Sequence, residues 1–126
     1  MKFIYSALIT LCITTFAQAE DRYAIVYFGA GWCGPCQKML REVWGMKEVE
    51  KFVTKDLAPS VDIQIHDIDV DQQPVYAKAW NVTSLPTTIV MKINEKGPTF
   101  PSIEISRKVG YQPVRDLLNF LKNSVK

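Results

Sequence analysis

The sequence predicts a single α/β domain built on a four-stranded mixed sheet with helices on both faces. Three observations predict it: the chain length and apolar content, an alternation of strand-like and helix-like segments, and a cysteine pair between the first strand and the first helix. The chain has 126 residues, of which 48% are hydrophobic. That length suits one domain of about 100–150 residues with one compact core.

The first half of the domain is predicted to be a strand followed by a long helix. Residues 23–28 form a short run of apolar β-formers, which indicates a buried strand. A helix is expected from Gly34-Pro35, because proline is favoured in the first helical turn. The apolar face of this helix recurs as far as Leu57, with a bend or an interruption expected at Gly45.

The middle of the chain is predicted to contain a second strand and a short helix. Apolar and polar residues alternate over 61–66, which is typical of a strand. A polar turn over 69–73 then leads into a helix over 74–80. Three side chains of this helix are expected to face inward, namely Val75, Ala79 and Trp80.

The last part of the chain is predicted to be a hairpin followed by a helix. Residues 87–93 are rich in β-branched side chains, and a turn over 94–98 separates them from a fourth strand over 103–109. Pro113 opens a helix whose apolar residues share one face: Val114, Leu117, Leu118 and Leu121. This order predicts a parallel crossover unit joined to an antiparallel hairpin.

The N-terminal residues are predicted to be a cleaved secretory signal, residues 1–19, followed by a domain over residues 20–126. Met1-Lys2 supplies a positive start, and residues 3–16 are mostly apolar. Ala17-Gln18-Ala19 then fits the small-x-small pattern of a cleavage site.

Two other interpretations of this segment stay open: a first element of the domain, and an uncleaved membrane anchor. The apolar stretch is shorter than the ~20 residues that span a bilayer, and serine and threonines interrupt it. We favour cleavage. We therefore expect an exported protein, with the bacterial periplasm as its compartment and no stable membrane insertion after cleavage.

The cysteine count favours chemistry over structural stapling. Cys12 would leave with the signal, so that Cys33 and Cys36 have only each other as disulfide partners. A bridge across two residues constrains the unfolded chain little, whereas small exported domains stabilised by disulfides usually hold several long-range bridges. A structural zinc needs four ligands. With His66 as the one histidine, we expect no metal.

The cysteine pair lies where thiol chemistry is favoured. Trp32-Cys33-Gly34-Pro35-Cys36 follows the first strand and opens the helix. The reactive species is a thiolate, and a helix N-terminus stabilises this anion. Cys33 is expected beside solvent as the nucleophile, and Cys36, one turn later and more buried, is expected to resolve the mixed disulfide.

These residues resemble the thioredoxin family, whose active-site motif matches 32–36 at all five positions. Ser84-Leu85-Pro86-Thr87-Thr88 is similar to the family's cis-proline loop. The resemblance implies a cis Leu85–Pro86 peptide and pairing of a substrate strand with the Leu85 backbone. It implies no cofactor besides the Cys33–Cys36 disulfide. The substrate-binding residues that it implies are Trp32, Gly34, Pro35, Leu85, Pro86 and Gly110.

The chain also departs from the family pattern. Thioredoxins usually have a strand and a helix before the active-site strand, so a chain that starts at Glu20 should hold the minimal four-stranded core. The family's buried aspartate is replaced by Tyr27, and Asp67 stands where its lysine partner usually lies. We expect Asp67, in phase with Ile63 and Ile65, to point inward and to exchange a proton with Cys36. The alternative is an exposed carboxylate in an acidic strand end.

The expected function is thiol–disulfide exchange in exported proteins, in the reducing direction. Gly34-Pro35 between the cysteines resembles reducing thioredoxins, and a membrane electron transporter is a candidate donor. The expected partners are protein thiols and disulfides. Nucleic acid is not expected, since the net charge is only +2 and no basic run appears. We expect a monomer. An oxidase or isomerase, and a non-catalytic binding module with this fold, remain as alternatives.

Overall fold

A computed structural model describes residues 21–57, 61–93 and 102–125. The predicted signal and the predicted turn over 94–98 lie outside these residues. None of the described helices is long and apolar enough to cross a bilayer.

The described strands form a mixed sheet in the order β2-β1-β3-β4. Their bounds are Asp21–Gly29 for β1, Val61–Asp69 for β2, Thr87–Ile93 for β3 and Ser102–Val109 for β4. β2 runs parallel to β1, whereas β1 with β3 and β3 with β4 are antiparallel. The predicted parallel unit and the antiparallel pair that follows it are therefore confirmed.

The helices occupy both faces of this sheet. α1 spans Gly34–Met39 and continues as a wider π-helical segment over Leu40–Trp44; α2 spans Lys47–Lys51 and continues likewise over Phe52–Leu57. α3 covers Pro74–Ala79, and α4 covers Val114–Ser124. For the described residues, the predicted α/β fold with a four-stranded mixed sheet and helices on both faces is thus confirmed.

Gly45 separates the first two helices, as predicted. Its N–H donates to the Leu40 carbonyl at 2.9 Å and ends the π-helical segment. A Cβ atom at this position would stand 2.9 Å from the Arg41 carbonyl oxygen, closer than side chains normally approach. Glycine therefore permits the tight closure of the helix here.

Alternate residues of β1 pack into two hydrophobic cores, one on each face of the sheet. Tyr23, Ile25 and Tyr27 are buried on the face covered by α1, α2 and α4, together with Leu117 and Leu121 of α4. Ala24, Val26 and Phe28 point the other way, toward α3. β1 is buried on both sides, which explains its unbroken apolar run. The strand leads directly into the cysteine motif, so this packing fixes the site.

The inward face predicted for α3 is wrong for two of its three residues. Val75 is 74% exposed and Ala79 is exposed as well, whereas Ala77 and the half-buried Trp80 pack against the sheet. Residues 77 and 80 share one stripe of a helix, and residues 75 and 79 share another. A helix of six residues leaves the choice between these stripes to tertiary packing.

Candidate active site

Cys33 and Cys36 form a disulfide at the start of α1, with their Cα atoms 5.2 Å apart. Cys33 is the N-cap residue, and its Sγ accepts the Cys36 N–H at 3.3 Å. A turn after β1 places it there, since the Cys33 N–H donates to the Ala30 carbonyl at 3.1 Å. The Cys33 sulfur therefore lies where unpaired N–H groups stabilise negative charge.

The two sulfurs differ in access. Cys36 is fully buried and Cys33 is 6% exposed, so the expected order of burial holds. The expectation that Cys33 stands open to solvent is wrong, because Ala30, Val70 and Leu85 pack around the pair. Leu85 comes from a distant loop, and this contact has no local signal in the sequence. Only a small part of the Cys33 side chain is therefore accessible to a partner.

The loop before β3 lies beside the cysteines. The Leu85–Pro86 peptide is cis, and the Thr87 hydroxyl donates to the Ser84 carbonyl at 2.6 Å. The Gly110 N–H donates to the Pro86 carbonyl at 2.7 Å. Gly110 has φ +95°, a conformation that side chains other than glycine rarely adopt. The structure thus brings the predicted Leu85, Pro86 and Gly110 to one edge of the site.

An exposed rim surrounds the disulfide. Trp32 is 72% exposed, and Gly34 and Pro35 are exposed as well. The Trp32 indole N–H donates to an Asp71 carboxylate oxygen at 2.7 Å, which fixes the ring beside the cysteines. Asp71 is a further residue of this rim that its sequence position alone does not predict. Its place in the acidic run after β2 was the only local signal.

Tyr27 contacts the inner side of the motif. Its hydroxyl, fully enclosed, donates to the Cys36 carbonyl at 2.9 Å. The ring packs edge-on against Trp44, with ring centroids 5.9 Å apart. Burial, and then the nearby Asp67 carboxylate, raise the pKa of Tyr27 well above its usual range. The hydroxyl therefore remains protonated and keeps donating to Cys36.

Asp67 lies opposite Tyr27 in the β1–β2 register, on the face that its phase predicts. The expectation that it points into the protein is wrong, because its side chain is exposed. Among the described strands β2 lies at the edge of the sheet, and an open cavity of about 330 Å³ separates Asp67 and Ile65 from Trp44 and Val49. Partial burial, and then Asp69, nevertheless raise the pKa of Asp67.

A smaller cavity extends from Asp67 toward the cysteines. It has a volume of about 200 Å³ and is also lined by Gly29, Ala30 and Gln37. A Cβ atom on Gly29 would lie 3.6 Å from the Cys36 sulfur, so this wall of the cavity adjoins Cys36. A cavity of this size holds water when polar groups line it. The cavity that Asp67 lines therefore ends at a wall, formed by Gly29, behind which the Cys36 side chain lies.

The described part of the chain contains no cluster of metal-binding side chains. Among residues 21–57, 61–93 and 102–125, no three His, Cys, Asp or Glu side chains lie close enough together to hold an ion. His66 is exposed on β2, where its Nε2 lies 3.4 Å from the Gln64 side-chain oxygen.

Comparisons with known proteins agree with this geometry. The family model for thioredoxin matches residues 13–123. A thioredoxin of Mycoplasma genitalium is 32% identical over 116 residues, which are 88% of this chain and 96% of that protein. A thioredoxin of Staphylococcus epidermidis is 33% identical over 107 residues, which are 83% of this chain and 85% of the relative.

Solved structures show the same fold at lower identity. The solution structure of a thioredoxin from Thermus thermophilus has a TM-score of 0.64 and 22% identity, and covers 81% of this chain and 72% of its own. The structure of a malaria-parasite thioredoxin-2 has a TM-score of 0.59 and 22% identity, and the match covers 84% of this chain and 86% of that protein. With its redox-active pair at Cys33 and Cys36, the chain belongs to the thioredoxin family and is a protein-disulfide oxidoreductase.

Proposed function

We propose that this oxidoreductase is exported and reduces disulfides in other exported proteins. The observation that carries the proposal is the position of the Cys33 sulfur, which caps α1 and accepts the Cys36 N–H at 3.3 Å. This position favours the thiolate, which makes Cys33 the attacking group. Gly34-Pro35 between the cysteines resembles the reducing members of the family.

The reaction proceeds in two exchanges. The Cys33 thiolate attacks one sulfur of a client disulfide, a mixed disulfide forms, and the other client sulfur leaves as a thiolate and takes up a proton. Cys36 then loses its proton and attacks the Cys33 sulfur, which frees the second client thiol. The client gains two electrons and the Cys33–Cys36 pair is oxidised. An electron donor must then reduce the pair, and a membrane electron transporter is the candidate.

The exposed rim binds the client. Trp32, Gly34 and Pro35 flank Cys33, while Leu85, Pro86 and Gly110 line the opposite edge. An extended client segment pairs with the backbone at Leu85, as a strand added to a sheet edge. This contact holds the client disulfide beside the accessible part of Cys33.

Asp67 is the proposed proton acceptor for Cys36. Burial and Asp69 raise the pKa of its carboxyl, and the cavity that it lines adjoins Cys36 at Gly29, where a water molecule would relay the proton. Tyr27 holds the Cys36 backbone and cannot accept the proton, because its hydroxyl stays protonated. Proton transfer by a positioned group contributes about 10²–10⁴-fold to a rate.

Replacing Asp67 with asparagine is expected to slow resolution of the mixed disulfide by about 10²-fold and to remove one ionisation from the pH profile. The same variant is expected to be more stable than the wild type at neutral pH. Folding raises the pKa of Asp67, so its ionised form disfavours the folded state once the pH exceeds the ordinary aspartate pKa of ~3.9. The effect is complete above the raised pKa. Stopped-flow turnover and urea unfolding between pH 3 and 8 measure both effects.

Asp62→Asn is the matched control, since Asp62 lies near the start of the same strand and pairs with Arg22 at 3.3 Å. Its turnover profile should match the wild type. An unchanged pH profile in Asp67→Asn would exclude Asp67 from the reaction. A gain in stability alone would then show only that the carboxylate is partly buried.

The exported reductase is tested in cells by the oxidation state of Cys33 and Cys36. We expect the chain to lose residues 1–19, to leave the cytoplasm and to hold the pair largely reduced. Alkylation of thiols before lysis measures the oxidation state, and N-terminal sequencing measures cleavage. A pair that stays fully oxidised when the electron supply to the compartment is varied would contradict a reducing role. Cytoplasmic retention of the intact chain would contradict export.

A further inference from the structure

Arg107 joins strand β4 to the end of α3. It lies on the face of the sheet that α3 covers, because it pairs across the sheet with Ile89, a core residue of that face. Its guanidinium donates to the Trp80 carbonyl at 2.8 Å and to the Asn81 carbonyl at 3.4 Å. The side chain is 30% exposed, so these bonds are partly shielded from water. The contacts therefore fasten together two segments that are distant in the sequence.

Glu104 orients the guanidinium. Its carboxylate accepts the Arg107 Nε–H at 3.0 Å and a second N–H from Nη2. Residues three positions apart on a regular strand face opposite sides of the sheet. Here the register shifts at Val90/Met91 and leaves Ile105 without a partner on β3, which brings the acid and the guanidinium to one face. The irregularity of β4 thus builds a forked ion pair beside α3.

The bonds from Arg107 complete the end of α3. The Val82 N–H donates to the Ala77 carbonyl at 2.9 Å, and Asn81 has φ +52°. This left-handed turn is a common helix ending, and it satisfies carbonyl groups within the helix. The carbonyl groups of Trp80 and Asn81 lie at its end, where a helix leaves acceptors unpaired. Arg107 donates to both of them.

The segment that Arg107 anchors leads into the client edge. Residues 82–85 alone separate Asn81 from the cis-proline Pro86, and Leu85 packs against the cysteine pair. In the part of the chain that the structure describes, none of the α3 side chains is fully buried. Apolar packing therefore holds this helix less firmly than it holds α1 or α4. The position of the Leu85 backbone consequently depends on polar anchors such as Arg107.

We propose that Arg107 is a positioning residue for client binding: with Glu104 it fastens the end of α3 to β4 and so holds the Leu85–Pro86 loop in the conformation that a protein client pairs with. This inference rests on the client edge proposed above. A loop that is held in its bound conformation loses less entropy when the client binds. A small disulfide that reacts with Cys33 forms no strand with this loop, so its reaction does not need Arg107.

The rates of two disulfides test this role. The reduced protein is mixed in a stopped-flow instrument with insulin, a protein disulfide, or with dithionitrobenzoate, a small one. We expect Arg107→Met, which keeps the aliphatic stem, to lower the second-order rate constant for insulin about tenfold and to leave that for the small disulfide within about twofold. Lys108→Met, on the opposite face of β4, is the matched control and should change neither. An equal loss with both disulfides, or no loss with insulin, would overturn the proposal.

Glu104→Gln tests whether the carboxylate acts through Arg107. Alone, this variant is expected to lower the rate constant for insulin by less than Arg107→Met does. Combined with Arg107→Met it should cause no further loss, because the two residues act as one unit and their effects are then not additive. A loss that adds in full in the double variant would contradict the shared role.

Amide hydrogen exchange tests the positioning without a client. The Val82 and Gly110 N–H groups each donate to a backbone carbonyl at one end of the loop. We expect their exchange to be about tenfold faster in Arg107→Met and unchanged in Lys108→Met, because local opening exposes these bonds. Unchanged exchange in Arg107→Met would overturn the inference. A wild type that does not reduce insulin would contradict the proposed reductase, whereas the exchange rates would still decide whether Arg107 positions the loop.

Discussion

Serine at position 36 is expected to convert the protein into a trap for its clients, whereas serine at position 33 is expected to abolish turnover. Without Cys36 the mixed disulfide on Cys33 has no resolving thiol and accumulates. Without Cys33, the Cys36 thiol cannot reach a client disulfide, because its side chain is fully buried. We expect a loss of turnover of at least ~10³-fold in either variant.

Trapped clients are identified by non-reducing electrophoresis and mass spectrometry of the exported fraction. The double variant Cys33→Ser, Cys36→Ser is the control and should trap nothing. If this double variant fully rescued a strain in which the gene is deleted, the fold would be acting as a binding module, with the cysteines incidental. Trapping on Cys36 in the Cys33→Ser variant would reverse the assigned roles.

Alanine at position 27 is expected to cost about 3–5 kcal/mol in the free energy of unfolding. Tyr27 is a large, fully buried side chain, and truncation of such a group leaves a cavity. The edge-on contact with Trp44 and the hydrogen bond to the Cys36 carbonyl are lost with it. Urea unfolding of the oxidised protein measures the change.

Tyr27→Phe separates the hydroxyl from the ring. It keeps the packing and removes only the bond to Cys36, whose carbonyl still accepts the Leu40 N–H, so the expected cost is about 1 kcal/mol. Because the bond holds the Cys36 backbone, we also expect a changed rate of Cys36 alkylation in the reduced protein. A phenylalanine variant as unstable as the alanine variant would contradict this division of the effect.

Much of the fold could be predicted from the sequence because its signals are local. The alternation in β2, the apolar run of β1 and the helical stripe of α4 with Leu117 and Leu121 each depend on residues a few positions apart. The break at Gly45 also has a local cause, since a close backbone approach excludes a side chain there. The cysteine motif likewise lies on contiguous residues, and its place at a helix start follows from them.

The features that were missed depend on packing between distant segments. The burial of Cys33 comes from Leu85 and Val70, and the fixed orientation of Trp32 comes from Asp71. Phase alone places Asp67 on the correct face, whereas its exposure follows from the position of β2 at the edge of the sheet that the described strands form. The same edge leaves Ile65 half exposed in a strand whose pattern predicts burial.

The reduction potential of the Cys33–Cys36 pair tests the reducing role most directly. The purified protein is equilibrated with glutathione and dithiothreitol buffers, and the fraction of reduced pair is measured by alkylation. We predict a value near or below about −250 mV, which places the protein with reducing thioredoxins and requires an electron donor in the compartment. A value near about −120 to −180 mV would contradict the account and mark the protein as an oxidase or isomerase.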